Sequence, residues 1–155
     1  MQTRKGLLAL LVTVALVLVS CGGSSAGNEE KLANNADNLS TKERQYFANG
    51  KKNYATYCAT CHMEQGQGLG KLIPPLQNSD YLLENVPAAA RVIKYGLDGP
   101  IKVNGVEYNQ PMPEMPNLTA LEIAEITTYI YNNWTLKEGL VGVKRVEQVL
   151  ETCSK

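Results

Sequence analysis

Apolar and polar positions follow different rules in successive stretches of the chain. Leu7 to Val19 is an apolar run of 13 residues broken only by Thr13. That length suits the hydrophobic stretch of a secretory signal and is short for a bilayer span. Gly22 to Leu39 is rich in Gly, Ser, Asn and Ala and has little apolar periodicity, which predicts a flexible tether. The pattern then turns helical. Tyr46, Phe47, Gly50, Tyr54 and Tyr57 recur at intervals of three and four, so Glu43 to Ala59 is expected to be a helix capped by Ser40 or Thr41.

Gly66, Gly68 and Gly70 interrupt regular structure, and Pro74-Pro75 stiffen the loop that follows. Ser79 opens a short helix to Glu84, and Pro87 starts another that runs to Tyr95 and stops at Gly96. Ile101-Lys102-Val103 and Val106-Glu107-Tyr108 flank Asn104-Gly105, the signature of a type I′ hairpin. Thr119 caps a helix to Trp134, with Glu122 completing a capping box and Leu121, Ile123, Ile126, Ile130 and Trp134 as its apolar stripe. Leu140, Val141, Val143, Val146, Val149 and Leu150 fall close to one helical face, predicting an amphipathic helix folded back on the domain. The expected fold is mainly α with a small β-hairpin. Its parts are a signal over 1–20, a tether over 21–42, a folded domain over 43–137 and a helical tail over 138–155.

Charge adds mainly an exclusion. Loss of the signal removes Arg4 and Lys5, leaving 13 Lys and Arg against 15 Asp and Glu, a net charge of about −2. There is no basic block and no basic face interleaved with aromatics, which argues against nucleic acid as a partner. Lys51, Lys52 and Lys71 read as a solvated face, and the tyrosines and Trp134 as packing residues. About a hundred residues remain to fold, few enough that a bound apolar group would add substantially to the core.

The decisive chemistry lies at Cys58-Ala59-Thr60-Cys61-His62. Cys-x-x-Cys-His is the attachment pattern of a c-type haem. On one helical turn both sulfurs face the same side, where each can form a thioether to a vinyl carbon, and His62 follows as proximal iron ligand. A thioredoxin-like pair needs a strand-helix alternation that is absent here. A zinc site needs four ligands, whereas His62 is the sole histidine, and Cys21 and Cys153 stand near opposite ends. A disulfide across two residues would be strained and would leave His62 unexplained.

A closed electron-transfer site needs a second axial ligand, and no second histidine exists. The candidates are a methionine sulfur, a lysine, or no ligand. Among the methionines, Met1 leaves with the signal, and Met63 adjoins His62 and cannot swing to the other haem face. Met112 and Met115 remain, both in the proline-rich segment Gln110-Pro111-Met112-Pro113-Glu114-Met115-Pro116.

From Glu43 to Trp134 the chain resembles a class I, single-haem bacterial cytochrome c. The resemblance rests on Cys58 to His62, Gly66 and Gly68, Pro75-Leu76, Met112-Pro113, and Leu118-Thr119 through Tyr129-Ile130 to Trp134. It implies a cytochrome c-like fold around one covalent haem c and an axial pair of His62 and Met112. It also implies a helix crossing near Gly50 and Tyr129, and Pro75 backing His62. Leu18-Val19-Ser20-Cys21 resembles a bacterial lipobox, which implies acylation of Cys21 and a lipid anchor on an exported protein.

The expectation is therefore a non-enzymatic electron carrier. Its redox partners would be a quinol-oxidising complex, a dehydrogenase or a terminal oxidase. A peroxidase or gas sensor would need a labile sixth site and distal hydrogen-bonding groups. A dedicated subunit of one larger redox enzyme is not separable from a mobile shuttle on sequence. Cys153 is left without an intramolecular partner.

Overall fold

A computed structural model of the chain describes residues 40–84, 86–135 and 138–152. The signal, Cys21, Cys153 and residues 21–39 of the expected tether lie outside the described residues. Ser40, Thr41 and Lys42, also expected in the tether, instead cap and begin the first helix. That helix runs two residues earlier at each end than the expected Glu43 to Ala59, because the Ser40 capping box fixes its start. The elements are α1 (Thr41–Tyr57), α2 (Ala59–His62), α3 (Asp80–Glu84), α4 (Val86–Tyr95), β1 (Ile101–Val103), β2 (Val106–Tyr108), α5 (Ala120–Ile130) and α6 (Val143–Thr152).

Two capping boxes start the long helices. The Ser40 hydroxyl accepts from the Glu43 backbone N–H while the Glu43 carboxylate accepts from that of Ser40, and Thr119 and Glu122 repeat the exchange. Both satisfy orphan donors of the first turn. The helices cross where α1 carries Gly50. A Cβ at Gly50 would run into the Glu125 carbonyl and stand 2.8 Å from Tyr129 Cβ, so only hydrogen lets the backbones approach this closely. The crossing near Gly50 and Tyr129 is the one expected.

The seam is not wholly apolar. Glu125 is 7% exposed, and its two carboxylate oxygens accept from the Asn49 and Asn53 side-chain amides at 2.8 and 3.2 Å. The charge is thus tied to α1 by hydrogen bonds, as a buried carboxylate requires. Phe47, Tyr54, Tyr129 and Trp134 pack with ring centroids 5.1 to 5.5 Å apart, in tilted and edge-on pairs.

Several expectations shift. α5 stops at Ile130 and continues as a π-helical turn, Tyr131–Thr135. Asn132 explains the stop: its amide donates to the Thr128 and Gly139 carbonyls and its oxygen accepts from Gly139 N–H, drawing the chain away from the helical ladder. Leu121 does not join the buried stripe; it is 45% exposed, because a residue two positions before Ile123 projects from another face. Tyr57 is also 45% exposed rather than packed. β1 and β2 pair antiparallel in the expected register, Val103 facing Val106, around Asn104 and Gly105 with φ of 50° and 80°. α6 lies against α4 and α5, with Val141 and Val146 inside the core. Tyr95 reaches it by donating to the Leu150 carbonyl at 3.1 Å.

Candidate functional site

One cavity gathers the chemistry. Cys58, Cys61 and His62 line it from the end of α1 and from α2, and Met112 lines it from the proline-rich segment. The rest is almost entirely apolar, with Ile73, Pro75, Leu76, Val92, Ile93 and Ile130 among its surfaces. The space, open mouth included, is about 970 Å³, at the upper end for a bound organic group. Met115 packs against the core but does not line the cavity.

α1 delivers the thiols. Its last backbone bond, Cys58 N–H to the Tyr54 carbonyl, leads into the single turn of α2, where the Cys61 and His62 N–H groups both point to the Cys58 carbonyl. Met63 then adopts φ of 64° and reverses the chain, with the Tyr54 hydroxyl donating to its carbonyl at 2.7 Å. Cys58 is buried and Cys61 exposed. Burial, with a smaller contribution from Cys61, pushes the Cys58 thiol up to about 12. A nucleophilic thiolate needs the opposite shift, so the redox-pair reading loses support. A thioether, which has no proton to lose, suits the position.

His62 is 8% exposed. Its Nδ1 lies 3.1 Å from the Pro74 carbonyl oxygen, which can only accept, so the proton sits on Nδ1 and the Nε2 lone pair is free for a metal. Burial lowers the imidazole's pKa more than that carbonyl raises it, which keeps the ring neutral as a ligand must be. The backing carbonyl belongs to Pro74, one residue before the Pro75 that the resemblance implied, while Pro75 lines the same cavity. The reason is local: the loop closes by Leu76 and Gln77 N–H groups to the Gly66 carbonyl and Leu69 N–H to that of Ile73, which turns the Pro74 carbonyl toward the ring.

Met112 is held by a two-way bridge. Its N–H donates to the Leu97 carbonyl at 2.9 Å and Leu97 N–H returns to its carbonyl at 3.0 Å. Gly96, with φ of 74°, lies directly beneath; a Cβ there would stand 2.6 Å from the Met112 carbonyl oxygen. Only glycine meets both demands.

Four polar side chains on the lining escaped the sequence reading: Ser79, Tyr81, Tyr108 and Gln110. Ser79 is 2% exposed; its Oγ accepts from Leu82 N–H at 3.4 Å, and among the described residues nothing accepts its proton. The Tyr108 hydroxyl reaches the Gly70 carbonyl only at 3.4 Å. Among the described residues, no Lys, Arg, Asp or Glu lines the cavity. Neutral hydroxyl and amide donors beside a large apolar slot match a flat organic group with carboxylates at its edge. The residues present therefore fit a haem: apolar surfaces for its faces, two sulfurs for its vinyl carbons, a neutral imidazole for its iron and neutral donors for its propionates.

The fold and cavity thus define a c-type haem protein, mainly helical with one two-stranded sheet. The chain belongs to the cytochrome c family, whose sequence model, described as "Cytochrome c", matches residues 47–134. It is 33% identical over 108 residues to a cytochrome c-552 of Thermus thermophilus, covering 63% of this chain and 76% of that protein. A second cytochrome c-552, from a particular strain of the same organism, is also 33% identical, with 68% of its length covered. The cytochrome c subunit of a quinone alcohol dehydrogenase from Gluconobacter oxydans is 29% identical over 106 residues, of which the chain spans 22% of the length. Covalently bound haem c follows from the family and from the Cys58 and Cys61 spacing. Among the described residues no helix is long and apolar enough to cross a membrane.

Proposed function

We propose that this chain is a membrane-tethered electron carrier and not itself an enzyme. It would hold one haem c through thioethers from Cys58 and Cys61, with His62 and Met112 as axial ligands. The observation that carries the reading is the convergence of those four side chains, from α1, α2 and a distant proline-rich segment, on one apolar cavity. Bound there, the haem supplies a one-electron ferric/ferrous couple. The protein's residues do the rest. The Pro74 carbonyl fixes the tautomer and aim of His62. The Leu97 bridge fixes the backbone of Met112, which would limit the movement of that side chain as an iron ligand. The apolar walls would exclude water from a bound haem, and Ser79, Tyr81, Tyr108 and Gln110 are the lining donors that would meet its carboxylates.

In this reading residues 1–20 are an export signal, Cys21 is acylated, residues 21–39 form a leash, and the domain works on the outer side of a membrane. The haem domain starts at the Ser40 cap and runs to 137, and 138–155 form the tail that covers it. Partners would be redox proteins, namely a quinol-oxidising complex, a dehydrogenase or a terminal oxidase; likeness to a dehydrogenase's cytochrome subunit supports the second. A near-neutral surface favours brief docking.

The test is spectroscopic. Ferric and ferrous spectra of the exported protein should be six-coordinate and low-spin, with the methionine–iron charge-transfer band in the ferric form. The ferrous form should resist carbon monoxide. Met112→Ala should abolish the band and Met115→Ala should keep it. The reverse pattern would move the ligand to Met115, and rapid CO binding by the unaltered protein would favour a gas-binding or peroxidase role.

A further inference from the structure

The segment that carries Met112 is poorly suited to hold itself. Pro111, Pro113 and Pro116 have no N–H, so the stretch cannot form a continuous ladder with its neighbours. Its backbone contacts include the Leu97 bridge at Met112, Met115 N–H to the Ile93 carbonyl at 3.2 Å, and Leu118 N–H to the Met115 carbonyl at 3.2 Å, none of which engages the Pro116 or Leu118 carbonyl. Carbonyls on the far side of Met112 therefore need a donor from elsewhere. Lys94, in the last turn of α4, supplies it: its Nζ donates to the Pro116 carbonyl at 2.7 Å and to that of Leu118 at 2.9 Å.

We infer that Lys94 is the positioning residue that keeps the methionine segment closed over the cavity; the inference rests on Met112 being an axial ligand. Three consecutive contacts come from one helix end. Ile93 holds Met115, Lys94 holds Pro116 and Leu118, and Gly96 with Leu97 holds Met112. Val92 and Ile93 of the same helix also line the cavity. The α4 end is thus both a wall for the haem and the base on which the ligand segment is clamped. The Lys94 contacts are charge-assisted and short, whereas the others are ordinary amide bonds. Removing the ammonium releases the Pro116 and Leu118 carbonyls, so the segment loses its two charge-assisted ties to α4 and Met112 departs from iron more often. The contact has no local signature in the sequence, since Lys94 and its acceptors are 22 and 24 residues apart.

Carbon monoxide counts those departures, because it binds ferrous iron only while the sulfur is away. In the holoprotein, Lys94→Met should take up CO about ten-fold faster than the unaltered chain, the factor expected when a hydrogen bond to a charged group is lost. Its methionine–iron band should weaken in parallel. Asn132→Ala is the control for general loosening, since its bonds go to Thr128 and Gly139; it should keep the unaltered rate. If Lys94→Met does not accumulate, Lys94→Gln carries the same comparison. An unchanged CO rate in the Lys94 variant, or an equal acceleration in Asn132→Ala, overturns the clamp while leaving Met112 as ligand. Rapid CO uptake by the unaltered protein overturns both the clamp and the His62/Met112 assignment.

Discussion

Gly50→Ala adds one methyl group where α1 and α5 approach most tightly. The new Cβ would stand 2.6 Å from the Glu125 carbonyl carbon and 2.8 Å from Tyr129 Cβ, where ordinary contact is 3.4–4 Å. Relief requires α1 and α5 to part by about 1.5 Å, because the new Cβ would overlap the Glu125 carbonyl oxygen more closely still. That movement stretches the two bonds flanking Gly50, Asn49 to Glu125 at 2.8 Å and Asn53 to Glu125 at 3.2 Å, past useful length. Overpacking a tight core costs about 1–3 kcal/mol. Each weakened, partly buried hydrogen bond adds about 1 kcal/mol. Against this, alanine in a helix interior is favoured over glycine by about 1 kcal/mol. The net loss is about 2–4 kcal/mol, or a fall in Tm of at least about 10 °C for a domain of this size. Thermal denaturation of the ferric holoprotein, followed by far-UV circular dichroism, measures it. A melting point unchanged or raised in Gly50→Ala would refute the close-crossing argument, because helix propensity alone would then have decided the outcome.

Loss of the cavity's neutral donors should show in the reduction potential: Ser79→Ala and Tyr108→Phe concentrate negative charge on the propionates, favour ferric iron and lower the potential in a voltammetric titration. An unchanged potential in both would remove these residues from the propionate edge. Glu43 gives a pH test. Its hydrogen bonds from Ser40, and a smaller one from Leu140, hold its carboxyl below the usual carboxylate range. A carboxylate depressed in the folded state stabilises above its unfolded pKa, and that contribution fades as pH falls through the folded value. Urea unfolding at neutral pH and again at a pH below that range should therefore differ less in Glu43→Gln than in the unaltered chain. An identical difference in both would dismiss the capping carboxylate as a source of acid sensitivity.

Legibility followed the range of each interaction. Ser40 with Glu43, Thr119 with Glu122, and Asn104-Gly105 are signals read within four residues, and the elements they start stand where the sequence put them. Cys58 to His62 is equally local. The end of α5 was not, because Asn132 ends the α-helix with bonds to Gly139, a partner the helical period does not contain. Leu121 was misplaced by counting apolar residues without their angle around the axis. The Pro74 carbonyl, buried Ser79 and the Lys94 clamp depend on segments brought together only by folding. Pattern alone could supply their residue types but not their meeting.

The length of α1 sets where force and traffic reach the domain. Seventeen residues separate the Ser40 cap from Cys58, which at about 1.5 Å per residue is about 25 Å. Chain preceding Ser40 therefore joins at one end of this strut, and the sulfurs stand at the other. The joining end is itself pinned to the α5–α6 connection, where the Glu43 carboxylate accepts from Leu140 N–H at 3.1 Å. A pull transmitted through the N-terminal segment would load that corner and the helix axis before it reached the two sulfurs.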